Sequence, residues 1–122
     1  MPGVSFVAHE TKEILLMDFV GIRDYRVLPP LVDRAIELVR RVGERRSVLV
    51  LVDLSGTRMN KRVGESLQRL SRGNGPYVSA IAFVGMGIPW STILAGLLRL
   101  RGKTNHKVMR GRNEALAWLV AR

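Results

Sequence analysis

The sequence predicts one α/β domain over residues 1–122, built on a mixed, mostly parallel β-sheet with four helices. Short apolar runs alternate along most of the chain with segments whose apolar residues recur at helical spacing, as in βαβ units. The first two apolar runs are separated by only a few polar residues, which favours an antiparallel hairpin. The predicted order is therefore β-β-α-β-α-β-α-β-α. With 122 residues and a hydrophobic fraction of 47%, the chain is long enough to bury a core of its own.

The amino-terminal part of the chain predicts a hairpin followed by a helix. Strands are expected at residues 4–8 and 14–20, joined by the polar segment between them. Pro29 and Pro30 suit the first turn of a helix, because backbone N–H groups there have no partner within the helix and proline lacks that group. Apolar residues then recur on one face as far as Gly43, a typical residue after a helix C-terminus.

The remaining elements follow the same alternation. Residues 48–52 are continuously apolar, as in a strand covered on both faces. A helix is predicted from about Asn60 to Arg72 with Gly73 as its stop, then a strand at 78–84 and a helix at 89–101. A short strand at 106–109 and a last helix capped by Asn113 complete the domain. In the helix at 89–101, one apolar stripe is expected to face the sheet, formed by Trp90, Ile93, Leu94, Leu97 and Leu98.

Composition excludes several functional classes. The chain has no cysteine, which excludes disulfides, cysteine-zinc sites and thiol chemistry, and it has only two histidines. Residues 73–98 contain no charge and are long enough to cross a bilayer. Their pattern of strand, glycine turn and helix argues against a transmembrane span, and no signal peptide is visible, so we expect a cytoplasmic protein.

No pattern in the sequence predicts catalysis. Gly85 and Gly87 lie between a strand and a helix, but Trp90 stands where the dinucleotide-binding pattern needs its third glycine. Asp53 ends the central strand and precedes Ser55, an arrangement typical of turn chemistry in which either side chain caps backbone amides; a reactive role is the alternative. We therefore expect no enzyme activity and assign no catalytic, cofactor-binding or metal-binding residue.

Three segments resemble those of a known family. The strand and turn at 50–56, which end in Asp-Leu-Ser-Gly, resemble the signature of STAS domains, the domains of sulfate transporters and anti-sigma factor antagonists. Residues 81–85 and 114–119 resemble the SpoIIAA-like branch of that superfamily. With the element order, the resemblance covers nearly the whole chain. It implies a mixed sheet with helices mainly on one side, and a regulatory or scaffolding domain that acts by protein–protein interaction.

One departure from the family pattern concerns its phosphorylation switch. Anti-sigma factor antagonists carry Asp-Ser-Ser-Gly at the start of the next helix, where this chain has Lys61-Arg62-Val63-Gly64. The phosphoacceptor serine is therefore missing, and the local charge is reversed. A basic cluster at the start of a helix can attract an anion, although it can also be a solvated surface. The partner-binding surface predicted here, for an acidic protein, comprises Ser55, Thr57, Arg58, Lys61 and Arg62.

Two further hypotheses accompany this one. The net charge of +10, with sixteen arginines and four lysines, suggests a less favoured alternative: binding to an anionic surface, either nucleic acid or acidic lipid. The family's shared topology with CRAL-TRIO lipid-binding domains raises an apolar ligand. The outer side of the helix at 89–101 carries no charge before Arg99, which predicts a homodimer contact at Ala95, Gly96 and Leu100; a face covered by the chain's own loops is the alternative.

Overall fold

The computed structural model describes residues 2–88, 90–100 and 105–122, with the backbone alone for residues 97–100. Within these residues the elements follow the predicted order, with short 3₁₀ turns at Tyr25–Val27 and Gly75–Tyr77. The five strands are β1 (Gly3–His9), β2 (Lys12–Asp18), β3 (Val48–Asp53), β4 (Val78–Val84) and β5 (His106–Met109). The four helices are α1 (Leu28–Val42), α2 (Lys61–Asn74), α3 (Trp90–Leu100) and α4 (Arg112–Val120).

The sheet is mixed and mostly parallel, which confirms the predicted fold class. Its strands lie in sequence order, β1 to β5. The hairpin pair β1 and β2 is antiparallel, and the three other pairs are parallel. Parallel pairing brings the carboxyl ends of β2 to β5 to one edge of the sheet, where Asp18 lies directly opposite Asp53.

Helices cover both faces of the sheet, with more of them on one side. On one face, Met17, Val50 and Phe83 lie in a core with buried residues of α1 and α2. On the other face, a smaller core contains Leu51 and residues of α4. Every residue of β3 is buried, as its continuous apolar run predicts, because the strand is central and covered on both sides.

Several predicted element ends differ from the structure. β2 stops at Asp18 rather than residue 20, and Phe19 then donates its N–H to the Asp53 carbonyl at 2.9 Å. α2 continues through Gly73, because this glycine serves close packing rather than helix termination. A Cβ there would lie 2.7 Å from Ile36 Cδ1 on α1. α4 begins at Arg112 with Gly111 as its N-cap, so the prediction that Asn113 caps it is wrong.

The orientation of α3 also differs from the prediction. Ile93, placed on the sheet-facing stripe, is 47% exposed, whereas Trp90 and Leu94 are half-buried. α3 contacts the last strand of the sheet, so a narrower part of its surface is covered. The side chains of Leu97, Leu98 and Leu100 and the position of Pro89 lie outside the described residues. No helix among the described residues is long and apolar enough to span a bilayer.

Candidate partner-binding site at the carboxyl edge of the sheet

The central feature of this edge is a buried carboxylate, Asp53, at the end of β3. Its Oδ1 accepts hydrogen bonds from the Ser55 N–H at 3.0 Å and from the Ser55 hydroxyl at 2.6 Å. Its Oδ2 accepts from Nε of Arg112 at 3.0 Å and lies 2.8 Å from Nη2 of the same guanidinium. Arg112 Nη2 also lies 3.7 Å from Asp18 Oδ1, so one arginine connects the ends of two strands to the start of α4.

The hydrogen bonds to Asp53 stabilise its ionised form. Burial raises the pKa of this carboxyl, but the hydrogen bonds from the Ser55 hydroxyl and amide, followed by the hydrogen bond and charge of Arg112, outweigh burial. The pKa of Asp53 therefore lies below its usual range. The carboxylate is charged and fully engaged at neutral pH, which is the arrangement of a structural anchor rather than of a proton donor.

Ser55 is held tightly from a second side by the turn after β4. Gly85 has φ +82°, and a Cβ at this position would collide with the backbone and hydroxyl of Ser55. Glycine is therefore required at this close approach. The turn after β3 is thus fixed both by Asp53 and by the neighbouring turn.

Thr57 joins the loop after β3 to the loop after β2. Its buried hydroxyl donates to the Phe19 carbonyl and accepts from the Ile22 N–H at 3.0 Å. Backbone bonds run alongside, from Gly21 N–H to the Ser55 carbonyl at 2.9 Å and from Arg58 N–H to the Ile22 carbonyl at 3.0 Å. These bonds join residues 19–22 to residues 55–58, so the segments 19–27 and 54–60 are held together in one hydrogen-bonded layer.

The outer side of this layer is basic. Arg58, Lys61 and Arg62 are exposed where α2 begins. Asn60 caps the helix by accepting a hydrogen bond from the Val63 N–H at 3.0 Å, which leaves the positive end of the helix dipole facing this surface. Arg62 makes a loose ion pair with Glu65 at 3.8 Å, and its guanidinium lies 5.7 Å from the centre of the Tyr25 ring.

Large apolar side chains are exposed on the segment that is hydrogen-bonded to the loop before α2. Val20, Tyr25 and Val27 belong to the segment 19–27, and all three are exposed large hydrophobic residues. We call six of the exposed residues of the two joined segments and the start of α2 the edge surface: Val20, Tyr25, Val27, Arg58, Lys61 and Arg62. It combines positive charge with apolar contact area on a backbone fixed by hydrogen bonds.

The five predicted partner-binding residues divide into two sets. Ser55 and Thr57 lie inside the layer and hold its turns together, whereas Arg58, Lys61 and Arg62 lie on its outside. Within the part of the chain described, no cluster of three histidine, aspartate or glutamate side chains could hold a metal ion.

The sequence interpretation missed Arg112 and the exposed hydrophobic residues at 20, 25 and 27. A carboxylate at the end of a fully apolar strand should have indicated a cationic partner, but sixteen arginines offered no means of choosing one.

The predicted dimer face is only partly described. Ala95 is half-buried and Gly96 is exposed, while Leu100 lies in the helix without a described side chain. Ile93 lies three residues before Gly96 on the same outer side, so the exposed part of α3 is more apolar than the sequence indicated.

The overall structure is similar to that of an uncharacterized protein of the DUF3478 family with a SpoIIAA-like fold, from Shewanella loihica PV-4. The TM-score is 0.66, and the match covers 98% of this chain and 95% of that chain. This chain has a SpoIIAA-like fold. The sequence identity is 15%, so the similarity between the two proteins concerns the fold alone. No family model matches the sequence, and no curated protein matches it.

Proposed function

We propose that this chain is a non-enzymatic regulatory or scaffolding domain with a SpoIIAA-like fold, which binds an acidic protein partner through the edge surface. The observation that carries the proposal is the hydrogen-bonded layer formed by segments 19–27 and 54–60, with Thr57 at its centre. A rigid backbone allows partner binding without a large loss of loop entropy.

The chemistry of the edge surface favours a partner with acidic and apolar side chains together. Lys61 is the first residue of α2 and Arg58 lies in the loop just before it, near the helix end where the dipole adds partial positive charge. Tyr25 and the neighbouring valines supply apolar area, and aromatic residues with arginine are the usual anchors of protein interfaces. Charge complementarity then provides orientation and a fast association rate.

We further propose that binding is not controlled by phosphorylation at the start of α2. Lys61 and Arg62 stand where the resembling family carries its acid and serine. The two nearby hydroxyl groups are already engaged, since Ser55 donates to Asp53 and Thr57 donates to the Phe19 carbonyl.

The test compares two triple variants that each remove three positive charges from the net +10. The surface variant is Arg58→Gln, Lys61→Gln and Arg62→Gln; the matched control, on and after α1, is Arg34→Gln, Arg40→Gln and Arg45→Gln. Proteins retained from native lysate by the immobilised parent are identified, purified and titrated against all three forms. We expect the control to bind as the parent does and the surface variant to bind at least about tenfold more weakly. Equal binding by both variants would contradict the proposal.

An apolar variant, Tyr25→Ser, separates a protein partner from a general anionic surface. A protein partner that uses the apolar residues binds this variant more weakly, although the net charge is unchanged. Affinity for nucleic acid or acidic vesicles should fall equally in both triple variants and should not change in Tyr25→Ser. It should also fall steeply as salt is added. That second pattern would favour the alternative function, binding to an anionic surface.

We also propose that the outer face of α3 forms a homodimer contact. Ile93 and Gly96 are exposed on this face, and a Cβ at Gly96 meets nothing within 4 Å. A small residue beside an apolar one allows another helix to approach closely.

A further inference from the structure

A small cavity lies between the second half of α2 and the sheet. Its volume is about 40 Å³, more than the roughly 10–15 Å³ that one water molecule needs. Most of its wall is apolar and comes from β2, β3, β4 and α2. The apolar lining consists of Met17, Val50, Leu67, Leu70, Val78, Ile81 and Phe83, and the polar side chains on the wall are those of Ser71, Asn74, Asn105 and His106. These residues belong to the middle of the domain, so the cavity is separate from the edge surface.

One polar side chain on the cavity wall has unmet hydrogen-bonding capacity. Asn74 is only 3% exposed, and neither its amide nitrogen nor its amide oxygen has a hydrogen-bond partner among the described residues. Asn105 on the same wall provides a contrast, because its amide nitrogen donates to the Ser79 carbonyl at 2.6 Å. A buried amide without a partner is unfavourable, so its presence requires an explanation.

The helix pattern makes Asn74 still more unusual. Val63, Leu67 and Leu70 form the buried stripe of α2, and the next position of that stripe, four residues on, is Asn74. An apolar residue would satisfy the pattern there. Gly73 lies so close to Ile36 that the end of α2 is held against α1, which keeps the neighbouring amide inside. A local rule broken inside a core, with no compensating partner among the described residues, is typical of a functional position.

We propose that this cavity binds a small, uncharged, mainly apolar molecule whose single amide-type group pairs with Asn74. Among the residues that the structure describes, no aspartate, glutamate, lysine or arginine lines the cavity to pair with an ionic group, and burying an unpaired charge is strongly unfavourable, so the proposed ligand is uncharged. The asparagine amide supplies both a donor and an acceptor, which a second amide matches in both directions. Its terminal torsion has a broad energy profile, so a small rotation presents either atom to the cavity. The volume limits the inserted group to a few heavy atoms.

The test uses short primary amides as probes and NMR of the backbone amides as the readout. Butanamide and hexanamide are titrated into the parent protein, with butylammonium as a charged probe of matched length. We expect saturable shifts that are confined to α2 residues 67–74 and the facing part of β4, and no saturable shift with butylammonium. Asn74→Leu is expected to weaken amide binding at least about tenfold. Ser71→Leu, which fills the cavity but keeps Asn74, is expected to abolish it.

Arg72→Gln is the control, since Arg72 is exposed on the same helix and does not line the cavity. Asn74→Leu should unfold at the same temperature as the parent or higher, because the variant removes an unpaired buried amide. Equal amide affinity in Asn74→Leu and parent would overturn the proposal. Absence of saturable binding of either amide to the parent would overturn it as well, and would leave the cavity as a site for solvent alone. If Asn74→Leu does not fold, the loss or retention of binding in Ser71→Leu decides the question.

Discussion

Replacing Arg112 by glutamine tests whether the ion pair with Asp53 stabilises the domain. In the parent, the guanidinium makes two contacts of 2.8 and 3.0 Å with one carboxylate oxygen. The side chain of Asp53 is 7% exposed and that of Arg112 is 38% exposed, so the carboxylate is buried while its partner is only partly so. Arg112→Gln leaves the Asp53 charge in place with the Ser55 bonds alone.

The expected loss follows from this half-buried geometry. Removing one partner of a fully buried ion pair lowers the free energy of unfolding by about 3–5 kcal/mol. Hydrogen bonds to a charged group contribute roughly 1.5–3 kcal/mol, and water around the exposed part of Arg112 favours the lower range. The loss is offset by about 0.3–1 kcal/mol, because Arg112 is a cation in the first turn of α4, where the positive end of the helix dipole disfavours it. We therefore expect a net loss of about 2 kcal/mol.

Urea unfolding followed by circular dichroism measures this loss, with Arg110→Gln as the control. Arg110 is exposed and lies two residues before Arg112, and its variant should change the free energy of unfolding by less than about 0.5 kcal/mol. A double-mutant cycle with Asp53→Asn isolates the pair itself, and its coupling energy should exceed about 0.5 kcal/mol. A loss no larger than that of Arg110→Gln would refute the assignment.

The same pair predicts a pH dependence of stability. Because the pKa of Asp53 is depressed in the folded state, its contribution is complete above the unfolded pKa of about 3.9 and is lost as the pH falls through the lower folded value. The difference between the parent and Arg112→Gln should therefore shrink as the pH falls from about 5 to about 3. A difference that stays constant over this range would show that the charge of Asp53 is not its source.

Three further outcomes are expected. Thr57→Val should lower the free energy of unfolding by about 2 kcal/mol, because it leaves a buried N–H and a buried carbonyl without a partner, and urea unfolding measures this. Incubation with kinases from the source cell followed by mass spectrometry should find no stoichiometric phosphate on Ser55 or Thr57; phosphate on either would contradict the proposed lack of a switch. Light scattering should show a dimer that the double variant Ala95→Glu, Gly96→Glu converts to a monomer, and a monomeric parent at tens of micromolar would exclude α3 as the interface.

The parts of the fold that sequence patterns predicted are those determined by local chemistry. The paired prolines and Gly43 mark the ends of α1, and Gly43 adopts the left-handed conformation with φ 73°. The apolar run of β3 is buried throughout, and α2 begins next to Asn60, where the helix was predicted to start. Each of these features depends on neighbouring residues, whose spacing can be read directly.

The features that sequence patterns missed depend on residues far apart in the chain. Arg112 meets Asp53 across 59 positions, and its choice among many arginines depends on where α4 starts. Gly73 resembles a helix stop, but the nearby Ile36 side chain on another helix is the reason for a glycine there. Ile93 fits the helical stripe, yet the place of α3 beside the last strand leaves it exposed.

At the carboxyl edge of the sheet, the buried residues stabilise the fold, and the exposed residues are the ones proposed to bind a partner. Asp53, Ser55 and Thr57 are engaged inside the layer, so changes to them act on the fold and reach a partner only through it. Arg58 and Lys61 are exposed, and exposed charges contribute little to folding, so we expect their removal to affect only the proposed binding. Asp53 is paired with Arg112, so its negative charge does not neutralise the exposed basic residues. Lys61 and Arg62, both exposed, therefore keep the start of α2 basic.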